Sequence, residues 1–331
     1  MDELVPLLEL GQLTYVDAAE FVSEQELKGE HLTFSVGGMA LNVAVDLAKI
    51  GNSYPVSVYG KVGVDHRADL IRTVLRSHHV EHRGLVVDPK HETSRTEVLH
   101  IRMADGSIDR IFRHVLGAMG SFNENDIQLS DLSGYKIAMF GYGLLLPQLD
   151  LVDDEYGTIL GKILAGVQSM GVMTALDFVS PSRENMFKFL RYKKSLAFVD
   201  ICCINEDQAC ALTEKDDPGE ACISLVDDFG VKISAVHCGS RGPNYTYSKK
   251  VGLISQSNFI VPENEYKGNA GAGDAFSAGF LHGIHQQWSI KKAARFAAAA
   301  AAISLGDASC TGAMRDEKYI LEYMENREMR S

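Results

Sequence analysis

Short apolar, β-branched runs alternate with helical patterns along most of this 331-residue chain, and that alternation restricts its fold more than any other feature. YPVSVYG (54–60) reads as a strand and HRADLIRTVLRSHHV (66–80) as a helix. KIAMFGYG (136–143) is again strand-like, ahead of the helical YGTILGKILAGVQSMG (156–171). VMTALDF (172–178), LAFVDICCIN (196–205) and ISAVHCG (233–239) read as further buried strands. Strands this uniformly apolar need cover on both faces, and the intervening helices supply it. The expectation is a doubly wound α/β fold, with a mainly parallel sheet and helices on both sides. No repeat, low-complexity linker or charge block interrupts the chain, so residues 1–331 are expected to form one domain.

One segment breaks the rhythm. TEVLHIRMADGSIDRIFRHV (96–115) has two strand-like halves around Asp105-Gly106, a residue pair suited to a tight hairpin turn. HLTFSV (31–36) can pair with it. A small β-sheet built from residues 20–36 and 94–116 is expected to project from the α/β body as a lid. The plainer alternative is a hairpin that only extends the main sheet. Near the C-terminus, KKAARFAAAAAAISLG (291–306) is helical by propensity, and its small side chains let another element approach closely.

Charge narrows the partners. A formal net charge of -12 repels phosphodiester backbones and anionic lipid, which argues against nucleic acid and membrane. No apolar stretch approaches the roughly 20 residues of a membrane span. MDELVPLLELGQ lacks the basic start and cleavage site of a signal peptide, so a cytoplasmic location is expected. The 6 cysteines form no CxxC pair. They read as buried free thiols, since the ICCINEDQAC cluster lacks zinc-ligand spacing. His78 and His82 in SHHVEHRG read as favourable charges near a helix C-terminus, and no metal-ligating set is expected.

Glycines cost backbone entropy, so the dense group in KGNAGAGDAFSAGF (267–280) needs a reason. After the strand-like NFIVP (258–262), Gly271-Ala272-Gly273 leads into a helix with Phe276, Gly279, Phe280 and Gly283 on one stripe. Free N–H groups at such a helix start, together with its dipole, can hold a phosphate. Asp274 stands at the helix N-terminus, either as a functional carboxylate or only as a cap. The loop is neither a Walker A loop nor GxGxxG. At the other end of the chain, SVGGMALNVAVDLAKIG (35–51) places Gly37-Gly38 before a helix with Val43, Leu47 and Ile50 inward. Asn42 there can donate and accept toward a hydroxyl-rich ligand that the glycines admit, or it is simply a polar residue early in a helix.

In this order and separation the motifs resemble the ribokinase-like carbohydrate kinases, the phosphofructokinase-B type, over nearly the whole length. GGMALNVAVDLAKIG is similar to the family's N-terminal signature, and GKVGVDHRADLI (60–71) matches the segment after it. CINEDQA (203–209) sits where the family has Asn-x-x-Glu, and VHCGSRG (236–242) resembles its nucleotide-side strand and loop. GAGDAFSAGFL is the most specific match.

The resemblance implies a ribokinase-like fold and transfer of the ATP γ-phosphoryl group to a hydroxyl of a sugar or nucleoside, with Mg2+. It implies Asp274 as general base and Gly271, Ala272 and Gly273 as anion hole. Gly37, Gly38 and Asn42 match acceptor-contacting positions, with Arg113 facing the same pocket. Asp17 is the nearest candidate for an early sugar-binding Asp, at a spacing from Gly11 one residue longer than usual. Asn205, Gly239, Ser240 and Gly242 match nucleotide-side positions. Some family members pair through the lid, which would make this chain a homodimer.

Three positions depart from the pattern. Gly268-Asn269-Ala270 replaces an Asp-Thr-Thr-like triplet whose Asp helps form a monovalent-cation site, so potassium activation is expected to be lost. Gln208 replaces the Glu that organises magnesium; its amide can orient water but lacks the charge. Ala298 stands where an Asn often contacts adenine. Two readings follow. The retained GAGD favours an active kinase with altered cation dependence, while Gln208 and Gly268 favour a ligand-binding protein on a kinase fold. Pentose, hexose, keto-deoxy sugar acid and nucleoside all stay open as acceptors.

Overall fold

The computed structural model describes residues 13–15, 35–51, 53–102, 108–179 and 188–330. The N-terminal part contains β1 (Leu13–Tyr15), α1 (Met39–Ile50), β2 (Ser57–Val62), α2 (His66–Ser77), β3 (Glu81–Val87), β4 (Arg95–Arg102) and β5 (Ile108–Val115). The middle runs through α3 (Leu129–Leu132), β6 (Ile137–Gly143), β7 (Val152–Asp153), β8 (Gly157–Thr158), α4 (Ile159–Ser169), β9 (Met173–Phe178) and α5 (Phe189–Tyr192). Then come β10 (Ile201–Asn205), α6 (Glu206–Thr213), α7 (Pro218–Asp227), β11 (Ile233–His237), β12 (Asn244–Ser248), β13 (Gly252–Gln256), α8 (Ala272–His285), α9 (Ile290–Ser304) and α10 (Glu317–Asn326). No helix among the described residues is long and apolar enough to cross a membrane.

The main sheet has the order β13-β12-β11-β10-β9-β6, with β6, β9, β10 and β11 parallel and β12 and β13 antiparallel at one edge. Side chains alternate between two cores, as the strand period requires. Leu176, Cys202, Ile204 and Val236 face α4, α6 and α7. Ala175, Ile201, Cys203 and Ala235 face α1, α8 and α9. Both faces are dry, which is why these strands read as unbroken apolar runs. A third cluster lies between the parallel pair β2–β3 and helices α1 and α2, through Ala44, Val45, Val58, Leu75 and Val80.

The alanine run of α9 works as expected. A Cβ on Gly279 would sit 2.9 Å from Ala297 Cα, and one on Gly283 would sit 2.6 Å from Ala293 Cβ, so α8 and α9 meet almost backbone to backbone. The predicted hairpin also forms, with β4 and β5 antiparallel from Arg95↔Val115 to Arg102↔Ile108. Its turn, Asp105-Gly106, lies outside the described residues. The hairpin does not extend the main sheet. Its described partner is β1, which runs parallel to β5 in a separate three-stranded sheet. Residues 31–34 of HLTFSV fall outside the described residues, and 35–36 join no strand.

Three expectations need correction. The strand in LAFVDICCIN begins only at Ile201, because Ser195–Phe198 wind into a 3-10 turn and Asp200 bonds across to Thr174 N at 2.8 Å. NFIVP forms no strand: Phe259 makes one bridge to Met329, and Pro262 has no N–H to continue a ladder. Of the cysteines, Cys202, Cys203, Cys222 and Cys238 are buried, but Cys210 and Cys310 are only partly so.

Candidate active site

The parallel strands end on one side of the sheet, where open α/β sheets hold their ligands. Tyr142, Asp177, Asn205 and His237, at or near the last residues of β6, β9, β10 and β11, line one wall of a large cleft. The glycine turn and the start of α8 meet them there. Gly271 is the N-cap residue with φ +77°, and a Cβ would lie 2.7 Å from Cys310 Cβ, so both conformation and space require glycine. Ala272 N–H turns back to Asn269 O at 3.3 Å, and no described side chain caps the helix. The next N–H groups along the helix axis therefore have no side-chain cap among the described residues, an arrangement that can receive an anion.

Asp274, in the first turn of α8, does not cap it. Its buried carboxylate reaches away from the helix start, accepting from Asn42 Nδ2 at 2.7 Å and from Tyr142 OH at 2.7 Å. The capping alternative therefore fails on geometry, and the two sequence motifs meet in one hydrogen bond. Burial raises the Asp274 pKa above the ordinary carboxylate value, while its two donors pull it down. Two more carboxyl groups sit close by. Burial, then the Asp274 charge, pushes Asp177 well up, and the same two causes push Asp46 to about 8 against the opposing pull of Lys49. Neither Asp46 oxygen has a hydrogen-bond partner among the described residues. Three acids in a low dielectric compete to ionise, and Asp274 is the one whose charged form is favoured by two side-chain donors.

Of the positions expected to contact the acceptor, Gly37 and Gly38 line the cleft with nothing within 4 Å of a Cβ on either, and Gly38 has φ +91°. Arg113 also lines it, from β5, and pairs at 3.1 Å with Glu97 directly opposite on β4. Asp17 lies outside the described residues.

The nucleotide-side positions divide. Asn205 lines the cleft and forms a capping box with Gln208: Gln208 N donates to Asn205 Oδ1 and Asn205 N to Gln208 Oε1, both at 2.8 Å. Gln208 Nε2 donates to Phe178 O at 2.6 Å, so both ends of this amide hold structure. Gly239, Ser240 and Gly242 form a turn after β11 that is not part of the cleft lining. Asn258 Nδ2 donates to Gly239 O at 2.6 Å and Gly242 O at 2.7 Å, and Arg330 donates to Ser240 O at 3.2 Å. Ala298 is buried in the core that α1, α8 and α9 share with one face of the sheet. Lys267 N and Gly268 N both bond Leu305 O, at 2.8 and 3.4 Å.

Tyr142 and Asp177 were not singled out from the sequence. Each is the polar residue that closes an apolar strand run, at a strand's carboxyl end, and that position was the available signal.

Residues 8–317 match the family described as pfkB family carbohydrate kinase. Fructokinase-7 of Arabidopsis thaliana, a function designated probable, is 26% identical over 298 residues, covering 84% of this chain and 80% of that protein. Among solved structures, an E. coli protein described as a ribokinase II, in complex with ATP and Mg2+, is similar with a TM-score of 0.72 and 18% identity, covering 96% of this chain and 97% of that one. Adenosine kinase from Schistosoma mansoni in complex with 2-fluoroadenosine is similar with a TM-score of 0.76 and 16% identity, covering 92% and 89%. At these identities the two structures speak to the fold.

Proposed function

The chain belongs to the pfkB family of carbohydrate kinases and is a phosphotransferase with a hydroxyl acceptor, and from that premise we propose an ATP-dependent sugar kinase whose base is Asp274. The observation that carries this is the buried Asp274 carboxylate, held by Asn42 and Tyr142 beside an uncapped helix start. The acceptor hydroxyl lies over Gly37 and Gly38. Each Asp274 oxygen keeps a second lone pair beyond its one donor, and one of them takes the hydroxyl proton as the new O–P bond forms. The bond from the γ-phosphorus to the bridging oxygen breaks, and its electron pair leaves with ADP. Amides of residues 271–273 hold the charge on the transferring group.

No cluster of three acidic, His or Cys side chains among the described residues could hold a metal ion unaided. Mg2+ would be held mainly by nucleotide phosphates and water, and Asn205 and Asp177, which line the cleft, would orient its water shell. Bound there, the ion neutralises phosphate charge. The sheet of β1, β4 and β5, carrying Arg113, serves as the lid of a one-domain cytoplasmic enzyme.

A coupled ADP-release assay over pentoses, hexoses, keto-deoxy sugar acids and nucleosides tests this. Turnover on at least one sugar is expected. Turnover on nucleosides alone moves the acceptor class. No release with any acceptor, combined with a sugar that raises the melting temperature, would establish the binding-protein reading that Gln208 favours.

A further inference from the structure

His237 closes β11, level with Asn205 in the parallel register, and is one of the residues that line the cleft. The ring lies against the glycine turn: a Cβ on Gly273 would be 3.0 Å from His237 Cε1 and 3.1 Å from Nε2. Phe276 supports it from the helix, ring centroids 5.5 Å apart and tilted by 46°. No described residue hydrogen-bonds to either ring nitrogen. Burial lowers the pKa to about 4, so the imidazole is neutral near pH 7 and offers one N–H donor and one bare nitrogen. An apolar side chain would fill the same space without desolvating an imidazole that has no partner.

We propose that His237 is a further catalytic residue, whose Nε2–H donates to a peripheral oxygen of the phosphoryl group held by residues 271–273. This rests on the kinase reading of the cleft. The edge of the ring that carries Nε2 is the one beside Gly273, and a phosphoryl oxygen can only accept. The histidine thus adds a side-chain donor to an anion hole otherwise made of backbone. No proton is transferred; the bond shortens as charge builds on the oxygen.

The test compares wild type, His237→Gln and His237→Leu, measuring kcat and calorimetric affinity for Mg-ADP and for the non-hydrolysable Mg-AMPPNP. A hydrogen bond to a charged oxygen predicts about 10- to 100-fold loss in kcat and in AMPPNP affinity for His237→Leu. ADP affinity should change far less, and His237→Gln should recover most of the loss. Equal losses for the two nucleotides, or changes within about twofold, would overturn the proposal. If wild type turns over no acceptor, the AMPPNP–ADP difference still supports His237 while the acceptor reading fails. Absence of nucleotide binding overturns both. Should His237→Leu not fold, ring 15N shifts of wild-type His237 decide: a shift on adding Mg-AMPPNP but not Mg-ADP supports the contact, and no difference overturns it.

Discussion

Asn42 and Tyr142 donate to Asp274 from two different elements, and each bond makes a separate prediction. In Asp274→Asn, Tyr142 can still donate to the remaining oxygen. The new amide faces Asn42 Nδ2 donor to donor, a conflict relieved when Asn42 turns over and offers its Oδ1, which is buried without a partner among the described residues. The fold should hold while kcat falls by roughly 10²–10⁴-fold, and sugar affinity should move much less. A near wild-type kcat would remove Asp274 from the chemistry. Its folded pKa is raised, so ionisation costs stability as pH climbs from the unfolded pKa through the folded one. Asn avoids that cost, and the variant should melt at or above wild type at pH 8. Activity needs the ionised form, so kcat/KM should fall on acidification through a pKa above the ordinary value near about 4. Tyr142→Phe deletes a donor that lowers this pKa, moving the acid limb to higher pH. An unmoved limb would show that Tyr142 does not tune the base.

Helix α8 carries Gly273, Asp274 and the seam with α9 within fourteen residues. In an exposed helix, glycine to alanine stabilises by up to about 1 kcal/mol. At Gly279 and Gly283 the sign should reverse, because each Cβ would enter α9 at under 3 Å. Gly279→Ala and Gly283→Ala should each lose about 1–3 kcal/mol in urea unfolding, and a gain would show that the seam opens at little cost. This close approach was legible in the sequence, since facing glycines and alanines leave no bulk. So were the parallel strands, whose two dry faces produce continuous apolar runs, and the β4–β5 hairpin, marked by its turn. The edge pair β12–β13 was not anticipated, although the alternating burial of Asn244–Ser248 is the signature of a half-buried strand. The Asp274 contacts were hidden for another reason: Tyr142 and Asn42 lie 132 and 232 positions away, and no local pattern records a partner at that range.

Across the whole molecule, the stretch leading into the glycine turn is braced by the loop after α9. Lys267 N and Gly268 N bond Leu305 O, Asp307 is occupied by Ser309 N at 2.8 Å and its hydroxyl at 2.7 Å, and Lys49 Nζ donates to Thr311 O at 2.7 Å. With a lysine ammonium already fixed on this loop, kinase rates should differ little among potassium, sodium and tetramethylammonium buffers. Potassium-specific activation would show that other groups rebuild a cation site. The bond between Asn42 and Asp274 also sets a clock on biosynthesis. At about 5–20 residues per second, α1 leaves the ribosome on the order of 10–50 s before its partner aspartate is made. Through that interval the sheet can assemble strand by strand, yet the nascent chain lacks Asp274 and Asp46 lies on a helix face still awaiting α8. The nascent protein thus lacks the Asn42–Asp274 contact until α8 docks onto α1, and α1 is the surface that chaperones would meet in the meantime.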